Sequence, residues 1–424
     1  MQLCAQTPAD SVGGSFLIYF GKISFMEEDK KKVLIVGAGL AGLAMYLALN
    51  KDKFDIEIIE KRKKFKRLGY ALIFMPLGVK ALGVLGFAPT QINSLGANIH
   101  ENRLRDKDGK LILVTDFKPL IRKFGNYMMV TRERLYRLLE SRIAAKDIHF
   151  GITIKSLFRA SRKICVQFSG DRRSTEYDVV IGADGTHSSV RQLLFPHTKL
   201  NPVGLSLIWS WIPRKENIYP GPGDVGNEKA GVGFFNSGER GKSCMAFFFQ
   251  TKDIPRNINP NGYRNLIRNH LKNFGDIVPK VLKHLPPGNE MYLHGDYEIN
   301  LSKWYRGNIV LIGDAAHARS VFSGAGSALA LEDALVLGHY LNRERDIETA
   351  IRKYFKKQHD RVEKLAMSKL RLYLLNPKGV TKYLGNFFAS SLLYSKKWPR
   401  FTPNTPFREA LFRKAKSRRR RGVW

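Results

Sequence analysis

The sequence predicts an α/β fold in which a parallel, nucleotide-binding sheet is assembled from separated segments, a mainly antiparallel β-sheet is inserted into it, and the C-terminal region is helical. Three observations carry this expectation. The run KKVLIVGAGLAGLAMYLALNKDKFDIEIIEKR, from Lys31 to Arg62, passes from a buried strand through a glycine turn and a helix to a second strand, which is a βαβ unit. Between about 201 and 299, β-prone and aromatic runs such as GLSLIWSWIP, AGVGFFN and SCMAFFFQ alternate with Gly and Pro, the pattern of an antiparallel sheet. The run GNIVLIGDAAH then supplies another strand and turn, and helices dominate from about Ser327.

Taken in chain order, residues 1–30 read as an N-terminal extension, with Met26 as an alternative start just before the first strand. Residues 31–200 form the first part of the nucleotide-binding domain, with an excursion into the second domain near 70–125 marked by the turn residues Asp106 to Gly109. Within it, an apolar helical period runs from about Arg132 to Ile143, and YDVVIGADG reads as a strand ending in a glycine turn. Residues 201–299 form the sheet-rich substrate domain, 300–345 the returning segment, 346–412 the C-terminal helices and 413–424 a basic tail. No internal repeat is visible.

The 424 residues, 44% hydrophobic and 25% charged, have the make-up of an ordinary globular chain with a sizeable core. The net charge of +34 by itself points towards nucleic acid, anionic lipid or acidic small molecules. Its densest run, Arg413, Lys414, Lys416 and Arg418 to Arg421, reads as a solvated tail, with a weak contact to anionic membrane as the alternative; no nucleic acid is expected. No apolar run reaches the roughly 18 residues of a spanning helix, and Phe16 to Phe20 is too short for a signal-peptide core. Cys4, Cys165 and Cys244 have neither disulfide-framework nor metal-ligand spacing, so a reducing cytoplasm is expected and no metal site.

Gly37, Gly39 and Gly42 form GxGxxG directly after a strand and at the start of a helix, the context of a Rossmann-like fold. The first glycine permits the tight turn, the second lets backbone approach a pyrophosphate, and the third lets helix and strand pack closely. Leu40 and Ala41 belong to the same cofactor-binding turn, whose helix N-terminus favours phosphate. Glu60 ends the second strand, where a carboxylate can accept hydrogen bonds from ribose hydroxyls, and Lys61 follows it. A glycine turn in an unrelated α/β domain is the bland alternative. Gly313 and Asp314 end a later strand, so that the carboxylate can accept from a polyol such as ribityl. Gly324, Gly326 and Ser327 then open a helix whose N-terminus can stabilise negative charge on a reduced flavin.

With these residues the chain resembles, over about residues 31–345, the group A flavoprotein monooxygenases of the para-hydroxybenzoate hydroxylase type, including the tetracycline-inactivating enzymes. DVVIGADGTHSSVR looks like that family's central DG motif, with Asp184 and Gly185 at its heart and Arg191 closing it. The resemblance implies FAD contacts at Asp184 and Gly185, whose backbone and carboxylate are expected to face one crevice, and at Arg62, Gly69 and Arg132. A solvated charge at a helix start is the alternative for Arg132. The resemblance also implies NAD(P)H as the reductant, O2 as co-substrate, and hydroxylation of an aromatic or polyketide-like substrate through a flavin C4a-hydroperoxide.

No second GxGxxG of similar context is present, which fits that family. The alternatives are an FAD-dependent reductase on the same scaffold, and an inactive flavin fold that binds anionic membrane or polyanion. His317 lies near Asp314, but a packed or hydrogen-bonded histidine is expected rather than an acid or base. No catalytic residue is named. The aromatic run with Trp209, Trp211 and Pro213 reads as a strand lining a pocket or core. Relatives usually carry proline where Val321 stands, so the loop beside the flavin is expected to be less rigid, with one more backbone donor.

Overall fold

A computed structural model describes residues 29–64, 70–170, 172–213, 221–227, 229–255 and 257–375, with side chains to residue 363 apart from 322. The mixed α/β architecture matches the expected fold class. Its six-stranded sheet runs in the order Tyr305–Arg306, Ile309–Leu311, Val179–Gly182, Lys31–Val36, Phe54–Glu60 and Ile148–Phe150. Every pairing is parallel except the outermost, between Tyr305–Arg306 and Ile309–Leu311. Val33, Leu34, Ile35, Val179, Val180 and Ile181 are fully buried, which accounts for strands that read as unbroken apolar runs. The helix Gly326–Leu341 packs on Leu40–Ala48, with Gly338 set close against Ala48, and Ile347–Leu375 packs on it in turn.

Register decides where the chemistry gathers. Val36 pairs with Gly182, and Gly182 with Leu311, so three strands remote in sequence end level with one another. The turns that follow them, at Gly37, Ala183 and Ile312, therefore meet at the carboxyl edge of the sheet, where open α/β folds place their ligands.

The second sheet has seven described strands in the order Tyr292–Glu298, Asn201–Pro213, Lys242–Gln250, Ala230–Phe235, Gly223–Gly226, Glu101–Arg105 and Leu111–Asp116. All its pairings are antiparallel except that of Gly223–Gly226 with Glu101–Arg105. One face, carrying Ile208, Ile212, Val225, Val232, Phe234, Met245, Phe247 and Phe249, is covered by the helices Pro260–Leu271 and Val278–Lys283. These two helices accompany the sheet in a stretch expected to be sheet-rich, and the expectation did not name them. Pro260 at the first helical turn and the buried Tyr263, Leu266, Ile267 and Leu271 at helical spacing explain the first of them. The helix expected from Arg132 to Ile143 ends earlier, as Arg132–Glu140, where Ser141 caps it.

Further small sheets join the two large ones: Ala71–Phe74 with Met128–Thr131 and Gly96–Asn98, and the meander Ile154–Ala160, Lys163–Phe168 and Thr175–Tyr177. Among the described residues no helix is long and apolar enough to cross a membrane. The N-terminal extension with Met26, and the basic tail, lie outside the described residues.

Candidate active site

The first glycine turn is built by backbone demands. Gly37 has φ +105°, donates its N–H to Ile59 O at 2.7 Å, and a Cβ there would stand 2.6 Å from Ala183 O. At Gly42 a Cβ would lie 1.9 Å from Gly37 O, so this residue lets helix and strand close together and does not itself line the cleft. Gly39 differs. A Cβ there would be in ordinary van der Waals contact, 3.6 Å from Ala183 O and Tyr136 Oη, and the residue borders both lobes of the cleft, where bare backbone leaves room for a close-approaching ligand. Glu60 accepts the N–H groups of Ala38 and Arg62, both at 3.1 Å, bracing the turn while its carboxylate still borders the cleft beside Lys61 and Arg62.

The DG turn corrects one expectation. The Asp184 carboxylate accepts Ser188 Oγ on one oxygen, and Ser189 N–H (2.6 Å), Ser189 Oγ (2.8 Å) and Val190 N–H (3.2 Å) on the other. It serves the start of the helix Ser189–Leu194, so although it borders the cleft its polar capacity is largely committed within the protein. Gly185, at φ +79° with no atom within 4 Å of a Cβ, presents the backbone instead. Buried Arg191 donates to Thr186 O and Ala315 O at 2.6 and 3.0 Å, tying the DG turn to the GD segment.

In that segment, Gly313 has φ +60° and donates its N–H to Asp333 Oδ2 at 2.7 Å. The same oxygen meets His317 Nε2 at 2.6 Å, while Gln358 donates to Asp333 Oδ1 at 2.8 Å. His317 is thus held by Asp333 and by Trp304, whose ring centroid is 4.7 Å away. Asp314 is exposed to the open cleft yet has protein packed closely around it, and that surrounding protein holds its pKa above the usual carboxylate range against the opposing charges of His317 and Arg132.

Arg132 is not a solvated charge. Its guanidinium donates to Tyr70 Oη and to Tyr136 Oη (2.9 Å), its Nε has no partner, and it borders both lobes of the cleft. Tyr70 stacks between Trp209 and Tyr292, with ring centroids at 5.4 and 5.5 Å. One lobe, about 800 Å³, holds Gly37, Glu60, Lys61, Arg62 and Asp184. The other, about 270 Å³, holds Leu40, Ala41, Gly324, Gly326 and Ser327. Gly39, Arg132, Gly185 and Asp314 border both. Gly313, like Gly42, stands behind the lining, and Gly69 lies outside the described residues.

The smaller lobe is floored by one face of the seven-stranded sheet. Cross-strand pairing sets Tyr292, Trp209, Ala246, Gly233 and Asp224 in one row, with His294, Leu207 and Phe248 in the next. Burial, then the nearby Arg132 and His187, push the His294 pKa down to about 4, so its ring is neutral at pH 7. Val321 also borders this lobe, and the additional backbone donor expected there finds a partner. Its N–H, which proline would lack, donates to Asp296 Oδ1 at 2.9 Å, and Ser320 Oγ donates to the other oxygen. Tyr70, Asp224, His294 and Asp296 were missed in the sequence. The alternation along LSLIWSW marks a lined face, but nothing local marks these four. Among the described residues no group of acidic, His and Cys side chains could hold a metal ion.

Residues 30–199 and 289–368 match the family model described as FAD binding domain. The FAD-dependent urate hydroxylase of Klebsiella pneumoniae is 28% identical over 344 residues, spanning 79% of this chain and 88% of that protein. The solved structure of Klebsiella pneumoniae HpxO with FAD and uric acid superposes with a TM-score of 0.72 at 22% identity, covering 90% of this chain and 95% of the other. A tetracycline destructase structure gives 0.67 at 21% identity, covering 88% and 100%.

Proposed function

Because the chain belongs to the FAD binding domain family, we propose that it is an FAD-dependent monooxygenase that uses NAD(P)H and O2 to hydroxylate an organic substrate of aromatic or polyketide-like character. The observation that carries this reading is a continuous cleft. Its larger lobe is bordered by glycine turns and basic side chains suited to a dinucleotide, its smaller lobe by aromatic residues from a separate sheet, and Arg132, Gly185 and Asp314 border both.

The residues fit FAD on structural grounds. The bare backbone of Gly39, which borders both lobes, suits a pyrophosphate at the N-terminus of Leu40–Ala48, and Glu60 keeps lone pairs for a ribose. Asp314 is placed to accept from a polyol. The N-terminus of Gly326–Leu341 and the permanent charge of Arg132 favour negative charge developing between the lobes. Bound FAD supplies the redox and oxygen chemistry. The protein's own share is to position the substrate against Trp209, Phe235 and Phe248, and to keep water from the reacting centre.

The urate hydroxylase among the relatives supports a ring-containing substrate. A cytoplasmic location, supported by free Cys165 and Cys244, and a weak anionic-membrane contact of the tail belong to the same proposal. The test is the absorbance spectrum of the purified protein, followed by NADPH oxidation with and without phenolic and polyketide compounds under labelled O2. Flavin bands with substrate-stimulated oxidation and one labelled oxygen in product are expected. Turnover without incorporation would mean a reductase, and a colourless protein that cannot be reconstituted would mean an inactive scaffold.

A further inference from the structure

We infer that Asp224, backed by Asn102, is a polar subsite at the far end of the substrate cavity that takes the N–H or O–H donor of an otherwise apolar aromatic substrate. The inference rests on the smaller lobe being the substrate cavity, as proposed above.

Asp224 shares a row of the sheet with Trp209, separated from it by Ala246 and Gly233, about 14 Å away at about 4.8 Å per strand. The two intervening residues are small. A Cβ on Gly233 would stand 2.8 Å from Asp224 Oδ1 and as close to the Phe235 ring, so only glycine lets the carboxyl group and this ring settle side by side over the strand, where both border the cavity. Leu207, Phe235 and Phe248 make the neighbouring walls apolar.

In this setting Asp224 is 4% exposed, and Asn102 Nδ2 donates to its Oδ2 at 3.1 Å. Among the described residues no donor meets Oδ1 and no cation faces it. On the adjacent strand, Arg103 and Arg105 alternate with Asn102 and Leu104 and so point to the other face, Arg103 pairing with Glu101 at 2.9 Å. The strand Ala230–Phe235 carries no charged residue. Arg319 borders the cavity but is held by Asn300 and Glu363, and His294 and Asp296 lie on the strand at the opposite edge of the sheet. A buried acceptor left without its hydrogen bond favours a ligand that brings the donor and rejects an isostere that lacks it. Burial raises the Asp224 pKa to about 7, partly opposed by the Asn102 hydrogen bond, so the ionised acceptor is present above neutrality.

The experiment is calorimetric titration of the FAD-loaded protein with 2-naphthol and 2-methoxynaphthalene, which differ in one donor, at about pH 8 and about pH 6. Tighter binding of 2-naphthol by about ten-fold or more is expected at the higher pH, falling towards parity at the lower one. In Asp224→Asn the pH dependence should vanish, and the titrations of the unaltered protein decide the matter even if that variant folds poorly. Equal affinities at pH 8, no binding of either compound, or a naphthol advantage that grows on acidification would overturn the inference. Failure to take up FAD strikes the cofactor reading instead, and the same titrations of the colourless protein still test Asp224.

Discussion

At Asp333, fully buried, one carboxylate serves the Gly313 N–H, His317 and Gln358 together. Replacing it with alanine leaves three buried polar groups unpaired, so Asp333→Ala should lose roughly 3–5 kcal/mol of stability in denaturant unfolding. Asp224 acts in the opposite sense. An unfolded aspartate ionises near pH 3.8, the folded one near 7, so stability falls as pH rises between those values and the full cost stands above about 7. That cost is on the order of 4 kcal/mol. Asp224→Asn should therefore raise the thermal midpoint at pH 8 and change it little near pH 4; an equal effect at both would contradict a raised pKa.

Among elements, the glycine turn separates two demands that one motif conflates. Gly42→Ala drives a methyl into Gly37 O and should prise helix Leu40–Ala48 from its strand, with loss of both stability and flavin binding. Gly39→Ala meets Ala183 O and Tyr136 Oη only at an ordinary contact distance of 3.6 Å, so its folding should be near normal while FAD affinity drops by about ten-fold or more, read by flavin fluorescence on dilution. The Val321 loop shows a different substitution of means. Where proline would restrict the chain, two hydrogen bonds to Asp296 hold it. Asp296→Ala should free the loop, raising the hydrogen peroxide formed per NADPH consumed relative to hydroxylated product, with the flavin retained.

Across the whole molecule, the cleft is assembled from three strand ends and the face of a second sheet, so a ligand in it bridges segments from Gly37 to Ser327. A ligand that binds only this assembled state stabilises it by mass action, about 2.7 kcal/mol at a hundred times its Kd. Added FAD should accordingly raise the unfolding midpoint in a concentration-dependent way, and NADPH alone should do so far less.

The fold class was legible because strand, glycine turn and helix are local requirements, each met within one contiguous run such as KVLIVGAGLAG. The same locality made Gly37, Gly39, Glu60 and Asp314 recognisable as candidate contacts. The sequence by itself thus determined the glycine-turn end of the cleft, where backbone conformation dictates residue type over a few positions. Only the tertiary structure decided the rest: that Asp184 serves a helix, that His317 belongs to Asp333, and that Asp224 and Trp209 share one row of a sheet. These roles depend on partners brought together by register and burial, such as Asn102 for Asp224 across 122 positions, and a carboxylate's desolvation is a property of the neighbours that surround it rather than of its place in the chain.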